Sequence, residues 1–103
     1  MESELFRVEQ FKIVTDIFKQ LSGTTRIRIF WLLCPTEQCV INISALMDMS
    51  SPAVPHHLGA LRSSNLIVSR REEKEVYYRA SDSRQAQLLY KTIEKVMTIA
   101  CPN

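Results

Sequence analysis

The fold is decided by residues 43–80. They open Ile43-Ser44-Ala45-Leu46-Met47-Asp48-Met49-Ser50-Ser51-Pro52-Ala53-Val54-Pro55-His56-His57-Leu58 and continue through Leu61-Arg62-Ser63-Ser64-Asn65-Leu66-Ile67-Val68. They close Arg70-Arg71-Glu72-Glu73-Lys74-Glu75-Val76-Tyr77-Tyr78-Arg79-Ala80. Ile43, Leu46 and Met47 recur at i, i+3 and i+4, the spacing of a short helix with one inward face, and Asn42 is a suitable N-cap. Met49-Ser50 reads as a turn. Ser50 or Ser51 can cap the next helix, and Pro52 suits a first turn, where the amide lacks a partner anyway. Val54, Leu58 and Leu61 then bury one face, and that helix ends around Ser63-Ser64-Asn65. Two strand candidates follow, residues 66–70 and 75–80. In the second, Val76 and Tyr78 alternate with Tyr77 and Arg79. The tip between them has no Gly or Asn, so the tightest two-residue turns are not expected. The pattern predicts helix, turn and helix over 42–64 and a β-ribbon wing over 66–80. That shape places one helix in a DNA major groove.

Outward from this unit, residues 4–20 read as a helix. Phe11, Val14, Phe18 and Leu21 form one apolar stripe, and Leu5, Val8, Ile13 and Ile17 widen it beyond one face. Such a helix suits a dimer interface; a terminal helix capping the monomer core is the plainer reading. Ser22-Gly23-Thr24 breaks it, and Thr24 or Thr25 can cap the next. There Ile27, Phe30, Trp31 and Cys34 form a core face, and Pro35 ends the helix. Residues 36–40 read as a connector. Ser81, Asp82 or Ser83 caps a last helix over 82–100, in which Leu89, Ile93, Val96 and Ala100 form a seam suited to a second subunit. The whole is a mainly α domain over 1–103 with a small β-hairpin, in the order α-α-α-α-β-β-α, dimerising through its first and last helices.

The totals restrict the function classes. The chain has 103 residues, 46% hydrophobic and 23% charged, with two glycines and four prolines. That fits one domain and excludes low complexity. No apolar run is long enough to span a membrane. The acidic start, Glu2 and Glu4, is unlike a secretory signal, so a cytoplasmic protein is expected. The net charge of +2 is weak evidence for nucleic acid on its own. Cys34, Cys39 and Cys101 are too few for a disulfide framework and are expected to be thiols. No phosphate-cradling glycine loop or nucleophile–base pair is present, so an enzyme is not expected.

Three segments resemble the ArsR/SmtB transcriptional repressors. Leu21-Ser22-Gly23-Thr24-Thr25-Arg26-Ile27-Arg28-Ile29 resembles the entry to the family's second helix. Ser51-Pro52-Ala53-Val54-Pro55-His56-His57-Leu58 with Leu61-Arg62 resembles its recognition helix, and Leu66-Ile67-Val68, Arg70-Arg71 and Val76-Tyr77-Tyr78 resemble its wing. The resemblance implies a homodimer that represses by binding double-stranded operator DNA and is released by a small inducer, here unknown. The residues expected to face DNA are Ser50, Ser51, Ala53, His56, His57 and Arg62, with Arg70, Arg71, Lys74 and Tyr77 on the wing. Adjacent helical residues point about 100° apart, so His56 and His57 suit DNA better than one shared metal ion.

The family's metal sites are incomplete. Its Cys-Val-Cys segment is Cys39-Val40-Ile41 here. Of its Asp-x-His and His-x-x-Glu positions on the last helix only Asp82 remains, followed by Arg84, Lys95 and Thr98. No metal or other cofactor is therefore expected. Some members sense oxidants or persulfides through two cysteines, and Cys34 or Cys39 with Cys101 has that layout; Cys39 and Cys101 are the candidate inducer-sensing thiols, with three structural thiols as the plainer reading. Both candidates lie where exposure is expected, while Cys34 lies on the core stripe. Two departures touch DNA binding. Pro55 stands where serine is usual and predicts a kink or a lost hydrogen bond. Gly59 stands where a longer, often cationic residue is usual. With the acidic wing tip, these departures support an alternative: a winged-helix protein-interaction module with weak or lost DNA binding.

Overall fold

The computed structural model describes residues 7–101, apart from the Ser51 side chain. Five α-helices and a three-stranded antiparallel sheet follow in the order α1 (Val8–Gln20), α2 (Thr24–Leu33), β1 (Gln38–Cys39), α3 (Val40–Met47), α4 (Val54–Ser63), β2 (Ile67–Glu72), β3 (Glu75–Ala80) and α5 (Arg84–Ala100). A 3-10 turn, Ser51–Ala53, leads into α4. No helix of the described residues is long and apolar enough to cross a membrane. Leu5 and the start of the expected first helix lie outside the described residues.

The core gathers at the helix-turn-helix. Ile29, Phe30 and Leu33 of α2 pack with Ile43 and Met47 of α3, Val54, Leu58 and Leu61 of α4, and Leu66 and Ile67 at the entry to the wing. The α4 triplet is the one its spacing predicts. In α2 the face is rotated from expectation: Ile27 and Cys34 are only partly buried, and Trp31 is half-exposed, its indole Nε1 donating to Glu94 of α5 at 3.2 Å. The indole needs a polar partner for its N–H, and α5 supplies one. In α3, Leu46 points outward at 51% exposure and Ser44 turns in.

Both helices of the motif end alike. Asp48 follows α3 at φ 54°, and Asn65 follows α4 at φ 60°. In each case the next amide reaches back to the last turn, Met49 to the Ser44 carbonyl and Leu66 to that of Leu61, both at 3.1 Å. Asp and Asn tolerate this left-handed geometry better than most residues. Leu66 against Leu61, both fully buried, adds the apolar contact that accompanies such an end.

The caps differ from expectation. Gly23, at φ 102°, rather than Thr24 or Thr25, precedes α2. Cys39 rather than Asn42 precedes α3, and Asn42 lies within the helix with its amide donating to Gln38. Ala53, with no side-chain cap, precedes α4. Ser83 caps α5, accepting from the Ala86 amide at 3.0 Å. Pro55 falls in the first turn of α4, where its missing N–H removes no helix bond. The expected kink therefore has no cause.

The connector expected at 36–40 contains a strand. Gln38 pairs with Tyr78 and Cys39 with Tyr77, so β3 is the central strand in the order β1-β3-β2. Two residues are too few to carry a periodic signal. The hairpin is also tighter than expected: Glu72 pairs with Glu75, leaving Glu73-Lys74 as a two-residue turn with Glu73 at φ 56°.

Candidate nucleic-acid interface

α4 turns Val54, Leu58 and Leu61 into the core, so its opposite face is free. His56, Gly59, Arg62 and Ser63 are exposed there, with Ser50 and Pro52 at its approach; Ala53 is half-buried. The Ser51 side chain lies outside the described part of the structure. A Cβ added at Gly59 meets nothing within 4 Å, so a side chain can start here in open space. Arg62 sits in the last turn and makes no ion pair among the described residues.

His57 differs from its neighbour. It is half-buried against α2, and its Nδ1 accepts from Arg26 Nε at 3.2 Å, while Arg26 Nη1 donates to Gln20 at 3.3 Å. The His56 ring stands edge-on to it, with centroids 5.5 Å apart. Burial first, then the charges of Arg26 and His56, lower the His57 pKa from its ordinary 6.5. The folded state thus favours neutral imidazole, whose Nδ1 must stay unprotonated to accept from Arg26. Because the folded pKa is depressed, the unfolded chain binds the extra proton first. The contact's contribution is complete above 6.5 and declines as pH falls below it. Chemical denaturation as a function of pH is expected to show this acid loss, and His57→Gln is expected to flatten it. Arg26 carries no sequence signal for this role, since it lies outside the core stripe.

On the wing, Arg71 and Lys74 are exposed. Arg71 Nε donates to the Glu73 carbonyl at 3.3 Å. Arg70 is differently placed: its guanidinium is bonded to Glu37 and Glu72 and lies over the half-buried Tyr77 ring. Glu37 was not among the expected site residues; it precedes the unforeseen strand β1.

The cysteines separate by environment. Cys34 is half-buried beside a cavity of about 340 Å³ that is also lined by Arg79, Asp82 and Tyr90. Burial, then the charge of Glu94, pushes its thiol up to about 11, which keeps it protonated at neutral pH. Cys39 is buried at 8% exposure. This corrects the expectation of an exposed connector thiol, because strand pairing with Tyr77 draws it into the sheet. Cys101 is exposed. Asp82, the one retained position of the last-helix metal pattern, is ion-paired with Arg79 at 3.2 Å. With Arg84, Lys95 and Thr98 at the remaining positions, these residues do not fit a metal ion.

Comparison with known proteins agrees with this geometry. A family model described as "Bacterial regulatory protein, arsR family" matches residues 23–69, which run from the start of α2 into β2. The "Transcriptional repressor SmtB homolog" of Synechocystis is 32% identical over 88 residues, 85% of this chain and 67% of the relative. The chain belongs to the ArsR/SmtB family. Its fold is also that of solved structures. HlyU from Vibrio cholerae superposes with a TM-score of 0.81 at 22% identity, covering 87% of this chain and 97% of that one. A second similar structure is the homodimeric winged helix-turn-helix DNA-binding domain Mb0332 of Mycobacterium bovis, described as a possible ArsR-family transcriptional regulator. Its TM-score is 0.78 at 27% identity, over 87% of this chain and 82% of that domain. The family's winged helix-turn-helix is thus present, with the short strand β1 added to the expected order.

Proposed function

We propose that this chain is a homodimeric transcriptional repressor that binds operator DNA through α4 and its wing. The uncovered outer face of α4, within a segment matched to a family of regulators, carries this reading. Phosphate contacts position such a protein and base-edge contacts specify its sequence. Arg62, Arg71 and Lys74 supply charge for the first role, and exposed Ser50 and His56, with half-buried Ala53, are the candidates for the second. His57 serves mainly to fix α4 on α2.

The dimer is supported by apolar surface that the protomer does not cover. No residue of α1 is buried, and Val8, Phe11, Val14 and Phe18 are exposed on it. α5 buries only Ala86 and exposes Leu88, Val96, Met97 and Ile99. Contiguous exposed patches of this kind mark association surfaces. The radius of gyration, 15.2 Å, exceeds the roughly 13 Å of a compact domain of this length, as expected when two helices wait for a partner.

The reading is tested on α4 itself, with a duplex from the DNA just upstream of the protein's own coding sequence. Arg62→Ala weakens binding and lowers the salt slope by about 1 per protomer. Gly59→Lys raises affinity by adding a phosphate contact in open space. It also stabilises the helix by about 0.5–1 kcal/mol, the usual gain on removing an internal glycine. If both variants bind as the parent does, α4 does not meet DNA. Inducer release acts through the dimer helices in this reading. If the inducer is thiol-reactive, Cys101 is its point of entry, since Cys39 is buried and the half-buried Cys34 thiol is held protonated. Cys101→Ser then keeps DNA binding and loses its response to peroxide or persulfide; an undiminished response removes Cys101 from the mechanism.

A further inference from the structure

Among the described wing cations, Arg70 is the one ion-paired with two carboxylates; Arg79 on β3 pairs with Asp82 alone. Arg70 lies on β2, and its side chain crosses the central strand to reach the residue before β1. The guanidinium passes over the Tyr77 ring, with Cζ 4.9 Å from the centroid. Beyond it, Nε donates to the Glu37 carboxylate oxygens at 3.2 and 3.0 Å, and Nη2 also bonds Glu37 Oε1. Nη1 donates to Glu72 at 3.1 Å. All three nitrogens therefore face carboxylate oxygen, and two negative groups flank one positive group. A phosphate approaching Arg70 meets this local excess of negative charge. Arg71 and Lys74 make no ion pair among the described residues.

We propose that Glu37 is a positioning residue that sets the wing's share of DNA affinity by holding Arg70 across the sheet and away from the phosphate backbone. The inference rests on the DNA-binding reading above. Glu37 itself makes no DNA contact; it acts through Arg70. The hydrogen bonds from Arg70 hold the Glu37 carboxyl below its ordinary pKa, which favours the ionised form that the restraint needs. Exposed ion pairs add little to stability. Removing the Glu37 charge therefore leaves the fold intact and changes which anion Arg70 meets.

The test is a salt titration of duplex binding for the full chain and for Glu37→Gln, Arg70→Gln and the double variant. Glu37→Gln is expected to bind more tightly, with a slope steeper by about 0.9 for each arginine released. The gain per contact is then about threefold larger near 50 mM salt than near 200 mM. In the Arg70→Gln background, Glu37→Gln is expected to change neither affinity nor slope. A parent that binds while Glu37→Gln binds equally or more weakly overturns this inference alone. A gain that survives in the Arg70→Gln background also overturns it, because it then reflects net charge rather than Arg70. If neither parent nor variant binds at low salt, the DNA-binding reading falls with it.

Discussion

Phe18→Glu is expected to turn the dimer into monomers and to weaken operator binding by about 10²–10⁴-fold, the gain that linking two binding modules provides. Phe18 is 59% exposed in the protomer, so the substitution removes little intramolecular packing. In a dimer formed through α1, as proposed above, the same position is covered, and an unpaired carboxylate there carries a large desolvation penalty. A second consequence follows from the burial pattern. α1 has 13 residues and buries none of them within the protomer. Isolated helices of about that length are marginal in water, so α1 is expected to lose helicity when the partner leaves. Sedimentation equilibrium reads the first effect and circular dichroism the second. Leu88→Glu, on the exposed face of α5, is expected to behave in the same way. A stable Phe18→Glu dimer would move the interface elsewhere.

The largest expected loss of stability comes from Phe30→Ala. Phe30 is wholly buried and heads the set of large buried side chains. It stands where α2 supports both helices of the DNA-reading motif. Truncating a buried phenylalanine costs about 3–5 kcal/mol, from lost transfer energy and the cavity left behind. A domain this small has a total stability of about 5–15 kcal/mol, so the variant is expected to sit close to unfolding at ordinary temperature. Urea denaturation measures this directly. A loss under about 1 kcal/mol would mean that the space around Phe30 collapses or refills.

The parts legible in sequence were those set by repeated spacing. Val54, Leu58 and Leu61 place α4 correctly because steps of four and three residues can be read in one chain without any knowledge of its neighbours. The strand 75–80 shows through its alternation. What was not legible depends on contacts distant in sequence. β1 has two residues and exists through pairing with Tyr77 and Tyr78, so nothing local announces it. That single omission made Cys39 look exposed and left Glu37 without a role. The α2 face was misjudged because Trp31 finds its partner, Glu94, 63 residues away. Pro55 was read as a kink because the helix was expected to begin earlier. The 3-10 turn over Ser51–Ala53 shifts the α-helical start, and the proline falls where it is tolerated.

Of the DNA-facing candidates, spacing distinguished exposed His56 from buried Leu58, but it could not foresee that His57 would be turned onto Arg26. Charge counting treated Arg70, Arg71 and Lys74 as equivalent. The sheet distinguishes them, because only Arg70 reaches Glu37.

DNA binding through α4 and the wing is read out by titrating salt against binding of the parent protein to a duplex from its own upstream DNA. Arg62, Arg71 and Lys74 provide three uncommitted cations per protomer, and hence six in a dimer. Log affinity is expected to fall linearly with log salt, with a slope of about −5 at roughly 0.9 per phosphate. Absence of binding at low salt with the dimer intact, or an affinity indifferent to salt, would contradict DNA binding through these elements.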